Sequence, residues 1–445
     1  MAGGLIQLVA YGTQDVHLTS NPQITFFKVV YRRHTNFSME SIQQTFEGVT
    51  NFGKKVSCTI LREGDLVHKM YLEHSATFGA STNNGQVCNN YGHALIKEVE
   101  LEIGGLTIDK HYGRWMQIWS DLTEYNPVTK ILSQPTTGLP GSSDGNSLFQ
   151  KITGTGRGAG QSLAGNYSQT EVTRKITIPL QFWFCKNPGL SLPLISLQYH
   201  EVKVKFEFEE ELKLYSAGGV SNITSPTFDL WVDYIYLDSD ERRRFSQNTQ
   251  EYLIDQLQYK EFEATANTMS NFELNFNHPV KELIWQFSNS HCEKTLNHDA
   301  TNDRTNGSAS TIACGIGIRD GFFKLVLNGN DRFARRHSSY FTRTQILDYH
   351  TGSGGDFKDS ICCYSFAINP EDNQPSGTCN FSRIDSAQLH ITKGIIGSNN
   401  IGTGNEIPGG GADTTSGEIT TLHIYAVNYN VLRIMSGMGG LAYSN

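Results

Sequence analysis

Short runs of alternating apolar and polar residues recur along the chain, separated by stretches rich in Gly, Asn and Ser. In the clearest, Val99, Leu101 and Ile103 alternate with Glu98, Glu100 and Glu102. Val202, Val204, Phe206 and Phe208 alternate with Lys203, Lys205, Glu207 and Glu209 in the same way. A period of two is that of a sheet with one buried face. In the first half, strand-like runs also cover residues 24–31 (ITFFKVVY), 40–46, 55–61, 66–78, 172–184 and 228–237. The second half has such runs at 258–264, 272–276, 280–287, 322–327, 361–368, 387–392 and 419–432.

The two halves repeat one order. After the glutamate strand and Gly104-Gly105, the segment DKHYGRWMQIWSDL spaces Trp115, Trp119 and Leu122 along one face of a short helix, an aromatic stripe that reads as core. In the second half FFKLVLNG matches the glutamate strand and its turn, and DRFARRHSSYF (331–341) takes the place of that helix. Asn187-Pro188 with Pro193 is echoed by Asn369-Pro370 with Pro375, each pair leading into another strand. Two runs of about eight strands, each with a helix after the fifth, predict an all-β chain built as two tandem eight-stranded antiparallel jelly rolls, with short helices in the connecting loops. Successive connections in such a sandwich alternate between its two ends. The long polar loops around 79–93, 133–169 and 211–226, and around 289–313, 351–359 and 394–417, therefore share one end.

Between the halves lies DSDERRRFSQNTQEYLID (238–255). Asp238 is placed to cap a helix, Glu241 stands at capping-box spacing, and Arg242, Arg243 and Arg244 make the following surface basic. Three adjacent arginines at a junction suit pairing with carboxylates across an interface between domains or subunits. The expected division is an arm over 1–22, a first roll over 23–237, a linking helix over 238–256 and a second roll over 257–445.

Composition narrows the function. At 445 residues, 38% hydrophobic and 11% aromatic, the chain has material for two cores. A net charge of -8 argues against direct contact with nucleic acid, which calls for a basic field. No apolar run reaches the roughly 20 residues that span a bilayer, and MAGGLIQLVAYGTQD lacks the pattern of a secretion signal, so a soluble, unsecreted chain is expected. The eight cysteines include no CxxC pair, and Cys362 and Cys363 would face opposite sides of a strand, so reduced thiols are expected.

Candidate chemistry is sparse. The row Glu98, Glu100, Glu102 offers carboxylates roughly 7 Å apart, a spacing compatible with sugar hydrolysis, although solvent-facing alternation alone explains it and is the favoured reading. GTGRGAG (154–160) lacks the preceding strand and the GK[ST] of a phosphate loop. The histidines show no HExxH, and Cys292 with His291 and His298 lacks a further pair, so no metal, cofactor or catalytic constellation is read. Sequons begin at Asn36, Asn166, Asn222, Asn306 and Asn380; Asn166, Asn222 and Asn306 lie in the long loops and are the candidate glycosylation sites. On residues alone the alternative is a carbohydrate-binding or carbohydrate-cleaving β-sandwich, suggested by aromatic-rich strands and long polar loops.

Four blocks carry a stronger signal: residues 1–42 (MAGGLIQLVAYGTQDVHLTSNPQITFFKVVYRRHTNFSMESI), 237–258 (LDSDERRRFSQNTQEYLIDQLQ), 368–385 (INPEDNQPSGTCNFSRID) and 430–445 (NVLRIMSGMGGLAYSN). In order and over nearly the whole chain they resemble the double jelly-roll major capsid proteins of nucleocytoplasmic large DNA viruses, those of algae and other protists above all. The resemblance implies a non-enzymatic late virion protein that forms homotrimers with a pseudo-hexagonal outline. These capsomers would assemble, in the host cytoplasm, into an icosahedral capsid beside neighbouring capsomers and minor capsid and penton proteins. An internal membrane would lie nearby, reached through minor proteins, with no direct nucleic-acid contact. It also implies an N-terminal arm on the inner side and the loop end facing outward.

Overall fold

The computed structural model describes residues 3–10, 12–78, 90–124, 148–155, 172–214, 223–263, 270–289, 321–352, 361–392 and 419–443. The chain divides into two compact units, Met1–Phe37 and Ser38–Asn445. The first holds two short helices, Gly3–Val9 and Val16–Thr19. Residues 24–31, read from the sequence as a strand, form none. Apolar and aromatic character alone does not make a strand; a ladder partner is needed, and none pairs with this run among the described residues.

The larger unit contains both sandwiches. In the first, β1 (Phe37–Gln44), β2 (Lys55–Thr59), β3 (Leu66–Phe78), β4 (Ile96–Ile103), β5 (Leu106–Tyr112), β6 (Val172–Pro179), a two-residue β7 (Leu192–Pro193), β8 (Val202–Phe208) and β9 (Ile223–Leu237) form two sheets. Their orders are β1-β9-β3-β6 and β2-β8-β4-β5, with β7 on β3. The second repeats the scheme with β10 (Gln250–Glu263), β11 (Ser270–Glu273), β12 (Pro279–Asn289), β13 (Phe322–Leu327), β14 (Asn330–His337), β15 (Ile361–Ser365), a short β16 (Cys379–Asn380), β17 (Ala387–Thr392) and β18 (Ile419–Met435). Its sheets run β10-β18-β12-β15 and β11-β17-β13-β14, and β16 sits on β12 as β7 sits on β3. These are two eight-stranded antiparallel jelly rolls of one topology. A terminal β19 (Met438–Leu441) turns back along β18.

Alternation decides which side chains enter each core. Val99, Leu101 and Ile103 of β4 are buried with Val204 and Phe206 of β8 in the first roll, and Leu283, Trp285 and Phe287 of β12 with Leu422 and Ile424 of β18 in the second. Burial of an aliphatic or aromatic side chain of this size contributes about 1.5–3 kcal/mol.

The fifth strands form differently from the sequence reading. Gly104 and Gly105 have φ of 58° and 86°, and Asn328 and Gly329 have φ of 48° and 78°. Both are two-residue hairpin turns, a backbone shape that Gly and Asn tolerate best. Each turn returns a strand before any helix starts. Asn330–His337, expected to open a helix, is therefore strand β14, and helical structure begins at Ser338. In the first roll the helix is Gly113–Thr123, with Trp115, Trp119 and Leu122 buried as expected.

The expected linker helix forms as Ser239–Gln247, with Asp238 extended at its N-cap and accepting from Ser239 N–H at 2.7 Å. Cys362 enters the second roll's core and Cys363 faces the other way; Cys58, Cys185, Cys363 and Cys379 are free thiols. No helix among the described residues is long and apolar enough to cross a membrane.

Candidate functional site

The rolls are joined through the helix Gly113–Thr123. Trp115, Ile118, Trp119 and Leu122 pack on Ile284 of β12, Ile361 and Cys363 of β15, Tyr425 and Val427 of β18, and Ile346. Those strand residues are the outward face of the second roll's β10-β18-β12-β15 sheet, because their neighbours Leu283, Trp285, Ile424 and Ala426 fill its core. Trp115 stacks near Trp119 with ring centres 5.4 Å apart and lies 5.2 Å from the Tyr425 ring. The free edge of β5 is covered as well. Leu257 N–H donates to Asp109 Oδ1 at 3.1 Å, and Gln256 Nε2 donates to Ile108 O. Gly352 N–H donates to Leu122 O at 2.8 Å, and a Cβ at Gly352 would stand 2.6 Å from the Leu122 carbonyl, so this approach admits only glycine.

Among the described residues the equivalent parts of the second roll are largely open. β14 is an edge strand pairing with β13 on one side, and Arg332, Arg335 and Arg336 project from it exposed. Arg335 lies 4.3 Å over the Phe322 ring and Arg336 3.8 Å over Tyr340, contacts that hold the guanidinium planes against the surface. The helical segment Tyr340–Thr344 and Gln345–Tyr349 buries Phe341 and Ile346 but leaves Leu347 74% exposed beside exposed Arg343 and Asp348. The outward face of the first roll's β1-β9-β3-β6 sheet, which corresponds to the face the tryptophan helix covers in the second, carries half-buried Tyr71, Trp231, Glu73, Asp229 and Asp233. Lys175 pairs with Glu73 there at 2.6 Å.

The three arginines of the linker separate. Arg242 Nη2 donates to Asp65 Oδ2 at 2.9 Å, and the same carboxylate accepts Leu237 N–H at 2.8 Å, so Arg242 fastens the helix to the first roll. Arg243 and Arg244 are exposed and have no ion pair among the described residues. Phe245 O accepts from Ser196 Oγ at 2.7 Å and from Gln250 Nε2 at 3.0 Å, which fixes the helix end. Asn166, Asn222 and Asn306 lie outside the described residues, as do residues 156–160 of the glycine-rich run, Cys292, His291 and His298.

The glutamate row is a lysine-paired ladder. Lys110 bridges Glu98 at 2.7 Å and Glu100 at 2.9 Å, and Lys205 pairs with Glu102. Across the same sheet Glu207 bonds Lys55 and Lys97; partial burial pulls its pKa up, but the two ammonium groups win and hold it at about 2. These carboxylates are neutralised in place and form no acid and base pair.

A buried polar cluster at the joint was not legible as a motif. His350 Nε2 stands 3.3 Å from Glu282 Oε2 and 3.2 Å from Cys363 Sγ, while Nδ1 lies 3.0 Å from Glu371 Oε1. Burial works against the imidazolium, but Cys363 and the two carboxylates favour it and the net direction is up; burial likewise raises Cys363. Beside it Lys281, fully buried, pairs with Asp255 at 2.9 Å.

Two family models divide the chain: the major capsid protein N-terminus over residues 25–238, and the large eukaryotic DNA virus major capsid protein over 241–440. The chain is 45% identical to the major capsid protein of Pyramimonas orientalis virus and 41% identical to that of Paramecium bursaria Chlorella virus 1, each match covering 100% of both chains. Among solved structures it is similar to the quasi-atomic model of the PBCV-1 virus capsid, with a TM-score of 0.75 and 37% identity over 95% of this chain and 100% of that one. The Faustovirus major capsid protein, 12% identical, shares the fold with a TM-score of 0.62 over 96% and 94% of the two chains. A duplicated jelly roll, a neutralised glutamate ladder and these likenesses converge: the chain belongs to the major capsid proteins of large eukaryotic DNA viruses, and its place is in the virion.

Proposed function

We propose that the chain works as a homotrimer, the pseudo-hexagonal capsomer of an icosahedral shell. The observation that carries this reading is the mismatch between equivalent surfaces. The first roll's β5 edge and helix are covered by the second roll's sheet, whereas among the described residues the second roll's β14 edge is unpaired and its helix leaves Leu347, Arg343 and Asp348 exposed. A neighbouring chain's first-roll sheet is the equivalent of the surface that covers the first pair. Repeating the contact from chain to chain is a heterologous arrangement that closes into a ring of six similar wedges when three chains take part. Charge supports the match: Arg332, Arg335 and Arg336 on the edge meet Glu73, Asp229 and Asp233 on the sheet face.

In this reading the activity is self-association, without catalysis. Arg243 and Arg244 are the members of the linker triplet available to an adjoining chain. Exposed Phe26, Phe27, Val29 and Val30 of the N-terminal unit suit an arm that contacts neighbouring capsomers or minor capsid and penton proteins on the inner side. A membrane would be reached through such minor proteins, and the chain's acidity fits a shell that does not touch the genome. Assembly would take place in the host cytoplasm, and Asn166, Asn222 and Asn306 are proposed to carry glycans on the outer loops. Light scattering on the purified chain tests the trimer: a mass near three times 49.6 kDa is expected, and a stable monomer at micromolar concentration would contradict it.

A further inference from the structure

We propose that Glu282, His350 and Cys363 form a binding site for a divalent transition metal of the zinc class, which ties together three elements of the second roll on the face that meets the first. The donors come from three elements. Glu282 sits where a bulge breaks the β12 to β18 register between Val280 and Glu282. Such a break re-aims a side chain, and here it accompanies two successive buried residues, Lys281 and Glu282. Cys363 lies on the neighbouring strand β15, which pairs with β12. His350 follows the helix Gln345–Tyr349, its N–H bonded to Ile346 O at 2.9 Å.

Nε2 to Sγ, at 3.2 Å, fits a hydrogen bond, but the two separations to the Glu282 carboxylate favour a metal. A charge-assisted N–H to carboxylate bond is about 2.7–2.9 Å long. Nε2 to Oε2 is instead 3.3 Å, and Sγ to Oε2 is 3.9 Å, at the limit for any sulfur hydrogen bond. Around a tetrahedral zinc with bonds of about 2.0–2.3 Å, neighbouring ligand atoms stand about 3.3–3.6 Å apart. The three separations of 3.2, 3.3 and 3.9 Å straddle that range.

Two further observations point the same way. Glu282 Oε1 is buried and has no hydrogen-bond partner among the described residues, although its carboxylate is fully sequestered from solvent. A buried oxygen of that kind calls for a ligand. The far side of the imidazole is set up as in metal centres: Nδ1 faces Glu371 Oε1 at 3.0 Å, and Glu371 is itself held by Thr351 N–H at 3.0 Å and Thr351 Oγ1 at 2.7 Å. A carboxylate behind the ligating histidine fixes which nitrogen meets the metal. Charge also closes, since one thiolate and one carboxylate balance a divalent ion while Lys281 is engaged by Asp255. Binding releases to solvent the Cys363 thiol proton and the His350 Nε2 proton that the metal-free cluster favours, so affinity rises with pH.

The test is cobalt titration of the full chain after removal of metal by chelator, with zinc content of the untreated protein measured by mass spectrometry. One Co²⁺ per chain is expected, with a thiolate-to-cobalt charge-transfer band in the near ultraviolet, tetrahedral-intensity bands in the visible, and displacement by Zn²⁺. Cys363→Ser should lose the charge-transfer band. Should that variant fail to fold, Glu371→Gln, which keeps all three donors, should weaken binding by about 10–100-fold. Absence of a charge-transfer band in the wild-type chain, or the same metal uptake by Cys363→Ser, would overturn the proposal.

Discussion

The two rolls share one strand order, yet the helix that follows the fifth strand has opposite surroundings in each. Gly113–Thr123 is enclosed, with Trp115 and Trp119 3% and 4% exposed between the sandwiches. Its counterpart after β14 presents Leu347, Arg343 and Asp348 to solvent. Duplication gave the chain two copies of one connector, and a single chain can cover only the first. On the proposed reading the second is satisfied on another copy of the same protein.

The largest expected effect comes from breaking the enclosed side. Trp115→Ala or Trp119→Ala should destabilise the chain by about 3–5 kcal/mol, read as a lowered urea midpoint. Leu347→Ala at the open counterpart should change the isolated chain by no more than about 0.5 kcal/mol. Equal effects at both positions would erase the contrast.

Acid should sharpen it next. His74 is buried in the first roll, with Nδ1–H donating to Thr227 O and Nε2 accepting from Tyr91 Oη, and burial lowers its pKa to about 4. His93, also in the first roll, is held at about 4 for the same reason. Both are neutral when folded, whereas an unfolded histidine takes its proton near 6.5. The unfolded state thus binds more protons between those values, and their contribution is complete above pH 6.5 and falls away as pH drops toward 4. The loss approaches about 3 kcal/mol for each histidine. Hydrogen exchange across this window should show first-roll amides losing protection before those of the second, and replacing both histidines by Gln should flatten the dependence.

A smaller effect is expected at the linker. Arg242→Ala leaves Asp65 with Leu237 N–H and should cost about 1 kcal/mol or less in thermal unfolding, because the guanidinium is half exposed. Arg243→Ala with Arg244→Ala should leave unfolding unchanged and weaken the trimer instead.

Much of this contrast was legible in the sequence. Alternation around Glu98 and Lys203 specified the sheet faces, and the repeated Asn-Pro and Pro spacing marked the duplication, because both follow from local periodicity. Asp238 was legible as a cap for the same reason. The run at 24–31 misled because strand propensity is expressed only where a ladder partner exists. DRFARRH was misread because it was given the place of the tryptophan helix in the repeat, although the preceding Asn328-Gly329 is a hairpin signal that called for a returning strand. The partner of Arg242, Asp65, lies far away in sequence, and the Glu282, His350 and Cys363 cluster draws on three elements and a bulge; neither has a local pattern to betray it.

The central claim is that the bare edge of the second roll seats on the first-roll sheet of another chain, and charge exchange tests it most directly. By light scattering, Arg335→Glu with Arg336→Glu should give a folded monomer, as should Asp229→Lys with Asp233→Lys, and a chain carrying all four changes should regain the trimer. A trimer of unchanged mass in both double variants, or a folded monomer when all four are combined, would contradict the account.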